Sequence, residues 1–129
     1  MRIMNEYIFD YDGRPIIFVD FLGNEKVSLA SLIDSGADTN VSFKEVGKFL
    51  GIKFSGRPNE RVEAIGKTLK GWKCPIDIEF MNQKFSIDVT WINKKVNVEE
   101  VLLMILGRES LFNKFNIEFR NNCKIIFRK

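Results

Sequence analysis

Leu29-Ala30-Ser31-Leu32-Ile33-Asp34-Ser35-Gly36-Ala37-Asp38 is the stretch on which the reading of this chain turns. Its first half is a mostly apolar run with strand character. Its second half is a short acidic turn built around a glycine. A carboxylate is thereby set at the end of a buried strand. The 129-residue chain contains no histidine, so acid–base chemistry near neutral pH falls to carboxylates, and Asp34 is placed to supply one.

Three readings fit residues 34–45. Asp residues commonly form surface turns. Asp34, Asp38, Asn40, Ser42 and Glu45 also fall on ligand positions of an EF-hand calcium loop. Against that, Gly36 stands at a ligand position, Thr39 stands where the sharp turn takes glycine, and the preceding segment reads as strand. The third reading is a catalytic loop. Gly36 permits close backbone approach, Ala37 leaves room beside it, and Val41 resumes a strand.

A second stretch, Ile105-Leu106-Gly107-Arg108-Glu109-Ser110-Leu111-Phe112, closes another apolar run near the C-terminus. In this order, the two stretches resemble the signature pair of retropepsin-like aspartic proteases. That pair is an Asp-Thr/Ser-Gly-Ala loop and a hydrophobic-Gly-Arg segment that buttresses it. The resemblance covers residues 27–127 and implies one domain over residues 1–129. The implied fold is all-β: a small closed barrel of the acid-protease type with two short helices, functional as a homodimer. Two features depart from the compact retroviral enzymes, a longer segment before Asp34 and an extra helix at residues 43–50.

The resemblance also implies roles for individual residues. Asp34 would be catalytic and would face Asp34 of the partner subunit, the two carboxylates sharing a proton and activating a water. Ser35, Gly36 and Ala37 would support the active-site loop, with the Ser35 hydroxyl reaching across the dimer. Gly36 and Asp38 would bind the substrate backbone. Asp38 would also form a buried or half-buried ion pair with Arg108. Ala64, Ile65 and Gly66 would form the tip of a flap spanning residues 58–72. No metal and no cofactor is implied. The activity implied is an aspartic endopeptidase whose partners are a second copy and a peptide or unfolded protein. The alternative is a catalytically weak protein-binding or dimerisation module on the same fold.

Composition narrows the remaining choices. A hydrophobic fraction of 45% with twelve Phe belongs to a chain that buries a core. The net charge is +3 with acidic and basic residues mixed, and no basic stripe argues for nucleic acid. The longest apolar run, residues 101–106, is too short to span a membrane. The opening residues lack the apolar core of a secretory signal. Two cysteines, Cys74 and Cys123, make no disulfide framework and no zinc site, so reduced thiols in the cytoplasm are expected.

Local patterns predict the elements. Strands at 7–9 and 16–19 flank Asp12-Gly13 and are expected to form a hairpin. A strand is expected at 27–33. Ser42-Phe43-Lys44-Glu45 has capping-box spacing ahead of a helix at 43–50, which Gly51 ends. Strands follow at 61–64, 69–80 and 84–91, with a turn at Met81-Asn82-Gln83. A buried strand at 101–106 and a short helix at 108–112 come next. The hairpin of 117–119 with 125–127 turns at Asn121-Asn122. Trp72 and Trp91 read as core or rim residues, and the charged loop 93–100 reads as solvated surface.

Overall fold

The computed structural model describes residues 6–64, 66–96 and 103–129. Ten strands are described: β1 (Glu6–Asp10), β2 (Ile16–Leu22), β3 (Lys26–Ile33), β4 (Asn40–Phe43), β5 (Glu60–Ala64), β6 (Lys67–Phe80), β7 (Gln83–Ile92), β8 (Met104–Leu106), β9 (Asn116–Arg120) and β10 (Lys124–Arg128). One α-helix, α1 (Lys44–Phe49), follows β4, and a single 3-10 turn spans Leu111–Asn113.

Six strands close into a barrel in the order β2-β3-β8-β4-β7-β6, and β6 pairs back to β2 through Phe21 and Ile78. Closure leaves these six strands without a free lateral edge. Alternation explains which side faces in. Ile17, Val19 and Phe21 of β2 are buried, as are Ile76, Ile78 and Phe80 of β6 and Ile87, Val89 and Trp91 of β7. Each such side chain contributes about 1.5–3 kcal/mol on leaving water, so the barrel interior dominates stability.

β5 lies outside the closed ring and pairs only with the first residues of β6, so the hairpin projects from the barrel wall. β1, β10 and β9 form a separate antiparallel sheet in that order. Its inner face meets the barrel through a phenylalanine cluster. Phe127 packs edge-on against Phe80 at 4.8 Å and against Phe9 at 5.8 Å, and Phe115 closes on both Phe80 and Phe127.

Three local expectations are corrected. The hairpin between residues 7–9 and 16–19 does not form. β2 pairs along its length with β3 and, at Asp20–Leu22, with β6, while β1 pairs with β10 at the other end of the chain. Asp12-Gly13 still turns the chain, with Gly13 at φ 79°.

The capping box does not form either. Ser42 is buried in β4, its hydroxyl donates to the Leu103 carbonyl, and Phe43 starts the helix with no side-chain cap. Gly51, at φ 93°, does end α1.

The helix expected at 108–112 is reduced to the 3-10 turn at Leu111–Asn113. The Arg108 N–H is spent on Ala37 across the fold, and the Ser110 hydroxyl closes a local turn onto the Gly107 carbonyl at 2.7 Å. Of the apolar run at 101–106, Met104–Leu106 is strand; residues 101 and 102 lie outside the described residues.

Candidate active site

β3 delivers Asp34 to the end of the barrel. Its last residue, Ile33, is buried, and the Asp34 N–H donates to the Leu106 carbonyl of β8 at 2.9 Å. The chain then turns sharply, with the Ala37 N–H donating to the Asp34 carbonyl at 3.2 Å. Within this turn the Gly36 N–H donates to Asp34 Oδ1 at 2.9 Å, which fixes the carboxylate's orientation. Gly36 is not in a left-handed backbone conformation, and a Cβ there would make a tight contact with Asp34 Oδ1 at 3.3 Å. Asp34 is half-buried, whereas Ser35, Gly36 and Asp38 are exposed and Ala37 is half-buried.

The Leu106-Gly107-Arg108 segment sits directly under this turn. Arg108 donates its N–H to the Ala37 carbonyl at 2.9 Å. Gly107 approaches so closely that a Cβ would fall 2.5 Å from the carbonyl oxygens of both Ala37 and Thr39. Those atoms are backbone and cannot step aside. The Arg108 guanidinium pairs with the Asp38 carboxylate, which joins the two segments a second time.

This ion pair is not buried in the single chain, contrary to the expectation. The Arg108 and Asp38 side chains are 62% and 78% exposed. Among the described residues, no other element covers them. Solvent screening limits a pair of this kind to about 0–1 kcal/mol.

Two residues that sequence patterns did not single out for the site hold it from beneath. Asn40 is fully buried, at 0% exposure. Its Oδ1 accepts from the Gly107 N–H at 2.9 Å, and its Nδ2 donates to the carbonyls of Asp88 and Glu109 at 2.9 and 3.0 Å. Ser110 is buried beside it. Alternation along Asn40-Val41-Ser42-Phe43 points the apolar pair inward, yet Asn40 and Ser42 are the buried ones. The face they occupy is lined by backbone carbonyls and an N–H, which take polar partners. No local pattern carries a signal for this, because the partners come from distant segments.

Asp34 and Ser35 line an open pocket of about 350 Å³ together with Tyr11, Pro15, Leu32 and Phe119. Phe119 is 39% exposed and brings an apolar surface from β9 beside the carboxylate. The β5–β6 hairpin has Ala64 opposite Lys67, with Gly66 at φ 71° in the turn. Of the three residues expected at its tip, Ile65 and the Ala64 side chain lie outside what the structure describes. Trp91 is core, with its indole N–H donating to the Cys74 carbonyl at 3.1 Å. Among the described residues no group of three or more His, Cys, Asp or Glu side chains could hold a metal ion, and no helix is long and apolar enough to cross a membrane.

No protein-family model matches this chain, and no curated protein does. Solved structures do. A retropepsin-like aspartic protease from Rickettsia conorii superposes with a TM-score of 0.67 over 96% of this chain and 99% of its own, at 14% identity. The EIAV protease complexed with the inhibitor HBY-793 gives a TM-score of 0.60 over 78% of this chain and 88% of its own, at 22% identity. The retroviral protease-like domain of Ddi1 from Leishmania major gives 0.54 over 88% and 94%, at 16% identity.

Proposed function

We propose that this chain, which has the retropepsin-like fold, is one protomer of a homodimeric aspartic endopeptidase made of a single domain. The observation that carries the reading is the seating of Asp34-Ser35-Gly36 on Leu106-Gly107-Arg108, with Asp34 oriented by the Gly36 N–H at an open pocket. One carboxylate per chain makes half a site. A two-fold axis beside Asp34 supplies the other half as Asp34 of the partner subunit.

The chemistry follows from two carboxylates holding one proton between them. The ionised Asp34 takes a proton from water as the water oxygen bonds to the scissile carbonyl carbon. The protonated carboxylate gives its proton to the carbonyl oxygen. Collapse of the tetrahedral intermediate breaks the C–N bond as the leaving nitrogen takes up the proton gained from water, and one hydroxyl of the intermediate returns its proton to the other carboxylate, which restores the shared proton. Ser35 ties the two loops together, and Gly36 and Asp38 hold the substrate backbone. The hairpin tip at Ala64, Ile65 and Gly66 closes over the peptide and excludes water. The substrate is a peptide or an unfolded segment, since the cleft must admit an extended backbone. Cys74 and Cys123, both outside any disulfide, suit a reducing cytoplasm.

The test is incubation of the purified protein with an unfolded-protein substrate and a peptide library across acidic to neutral pH, beside Asp34→Asn. Asn keeps the shape of Asp34 but cannot take a proton from water. The expected result is cleavage by the native chain, none by the variant, and the same fold in both. Equal cleavage by both would assign the activity to another source. No cleavage by the native chain would leave the fold as a protein-binding or dimerisation module.

A further inference from the structure

A second concave surface lies where α1, the loop after it and β6 meet. Its floor is aromatic. Phe54 packs on Trp72 with ring centroids 5.1 Å apart, and Ile52 continues the apolar surface. Its rim is basic: Lys44 and Lys48 come from one face of α1, four residues apart, and Lys53 comes from the following loop. The cavity is about 560 Å³, and no carboxylate lines it.

Lys26, Arg108, Arg120, Lys124 and Arg128 each pair with a carboxylate, whereas none of Lys44, Lys48 and Lys53 does so among the described residues. Lys44 instead lies over the Trp72 ring, 5.3 Å from its centroid. The half-buried indole thus has both a cation and Phe54 beside it, with its N–H donated to the Gly56 carbonyl. An apolar floor inside a ring of ammonium groups complements an apolar side chain flanked by carboxylates.

We propose that this groove docks an acidic peptide segment that inserts one aromatic side chain against Phe54 and Trp72 while its carboxylates pair with Lys44, Lys48 and Lys53. Single-stranded nucleic acid also combines stacking with cations, but it needs a basic track along several nucleotides. The three lysines here ring one cavity. The site has a structural link to the β5–β6 hairpin, because Trp72 directly follows the residues of β6 that pair with β5. The docking itself does not depend on Asp34 or on peptide cleavage.

The probe is a capped Glu-Glu-Phe-Glu-Glu peptide, titrated while following tryptophan emission. Trp91 is fully buried, so the half-buried Trp72 reports. Binding is expected to shift the emission and to weaken as salt rises. Lys48→Glu with Lys53→Glu removes two exposed cations without touching the core and is expected to weaken binding about tenfold or more. A charge-matched control, Lys84→Glu with Lys129→Glu, is expected to bind within about twofold of the native chain. Circular dichroism checks that all variants fold. The proposal is overturned if the native chain does not bind the peptide, or if the Gln-Gln-Phe-Gln-Gln analogue binds equally well. It is likewise overturned if the Lys48/Lys53 variant binds like the control, or if a thymidine oligomer binds more tightly than the peptide.

Discussion

The side-chain oxygen of Asn40 accepts the backbone N–H of Gly107 at 2.9 Å, and this bond joins the strand leaving the Asp34 loop to the segment that supports it. The Asn40 amide nitrogen also holds Asp88 of β7 and Glu109. One buried amide therefore ties three parts of the chain at the point where the loop is shaped.

Asn40→Leu is expected to destabilise strongly. It leaves the Gly107 N–H and two carbonyls without partners, at about 1–3 kcal/mol for each buried group that stays unpaired. Asn40→Asp keeps the acceptor but places a carboxylate against two carbonyl oxygens, so it is expected to be no better. Urea unfolding measures both. A loss below about 0.5 kcal/mol for Asn40→Leu would show that the network contributes little.

Gly107→Ala should displace the loop rather than merely tighten the core. Its added methyl collides with two backbone carbonyls, Ala37 and Thr39, that cannot rotate away. An overpacking cost of about 1–3 kcal/mol is expected. Shifted amide resonances for residues 34–40 should accompany it. An unchanged spectrum there would refute the close packing of the two segments.

Arg108→Ala is expected to cost no more than about 1 kcal/mol in the monomer, because its pair with Asp38 is solvated. Association at the Asp34 face would bury the pair and raise that cost. Unfolding followed at low and high protein concentration separates the two. The same small effect at every concentration, in a protein that sedimentation shows to dimerise, would place the interface elsewhere.

Acid should loosen the sheet of β1, β10 and β9 through Glu118. Hydrogen bonds from Arg120, and then from Arg128, hold its carboxyl below the usual range. A carboxyl depressed in the folded state binds fewer protons there than in the unfolded chain. Its stabilisation is therefore complete above the unfolded value of about 4.3 and is lost as pH falls through the lower folded value. Arg128 also reaches Glu6 on β1, so one guanidinium spans the sheet. Thermal melts of the native chain and Glu118→Gln should differ near neutral pH and converge in acid. A gap that persists at pH 2 would exclude this linkage.

Much of the architecture was legible because its causes are local. β3 and the Asp34 turn follow from an apolar run meeting Asp, Ser and Gly. The β6–β7 hairpin turns at Met81 and Asn82, both left-handed at φ 49° and 62°, where the polar turn segment was expected. Asn121 and Asn122 turn β9 into β10 in the same backbone region. Turn chemistry and period-two alternation act over a few residues, so a sequence carries them openly.

What the tertiary structure alone decided depends on segments far apart in the chain. β1 reads as half of a hairpin with β2, but β2 joins the barrel through β3 and β6 while β1 pairs with β10, more than a hundred residues away. Asn40 and Ser42 read only as positions of a calcium-loop pattern, Ser42 also as the start of a capping box. They turn inward because Asp88, Leu103 and Glu109 bring carbonyls to that side. Asp38 and Arg108 were expected to pair under cover. They pair in the open, because no other described residue covers them. The groove between Lys44 and Trp72 has no counterpart in any local pattern, since its walls come from α1, the loop after it and β6. In each case the deciding quantity is which backbone groups and edges remain unsatisfied once the barrel has closed, and only the folded chain sets that.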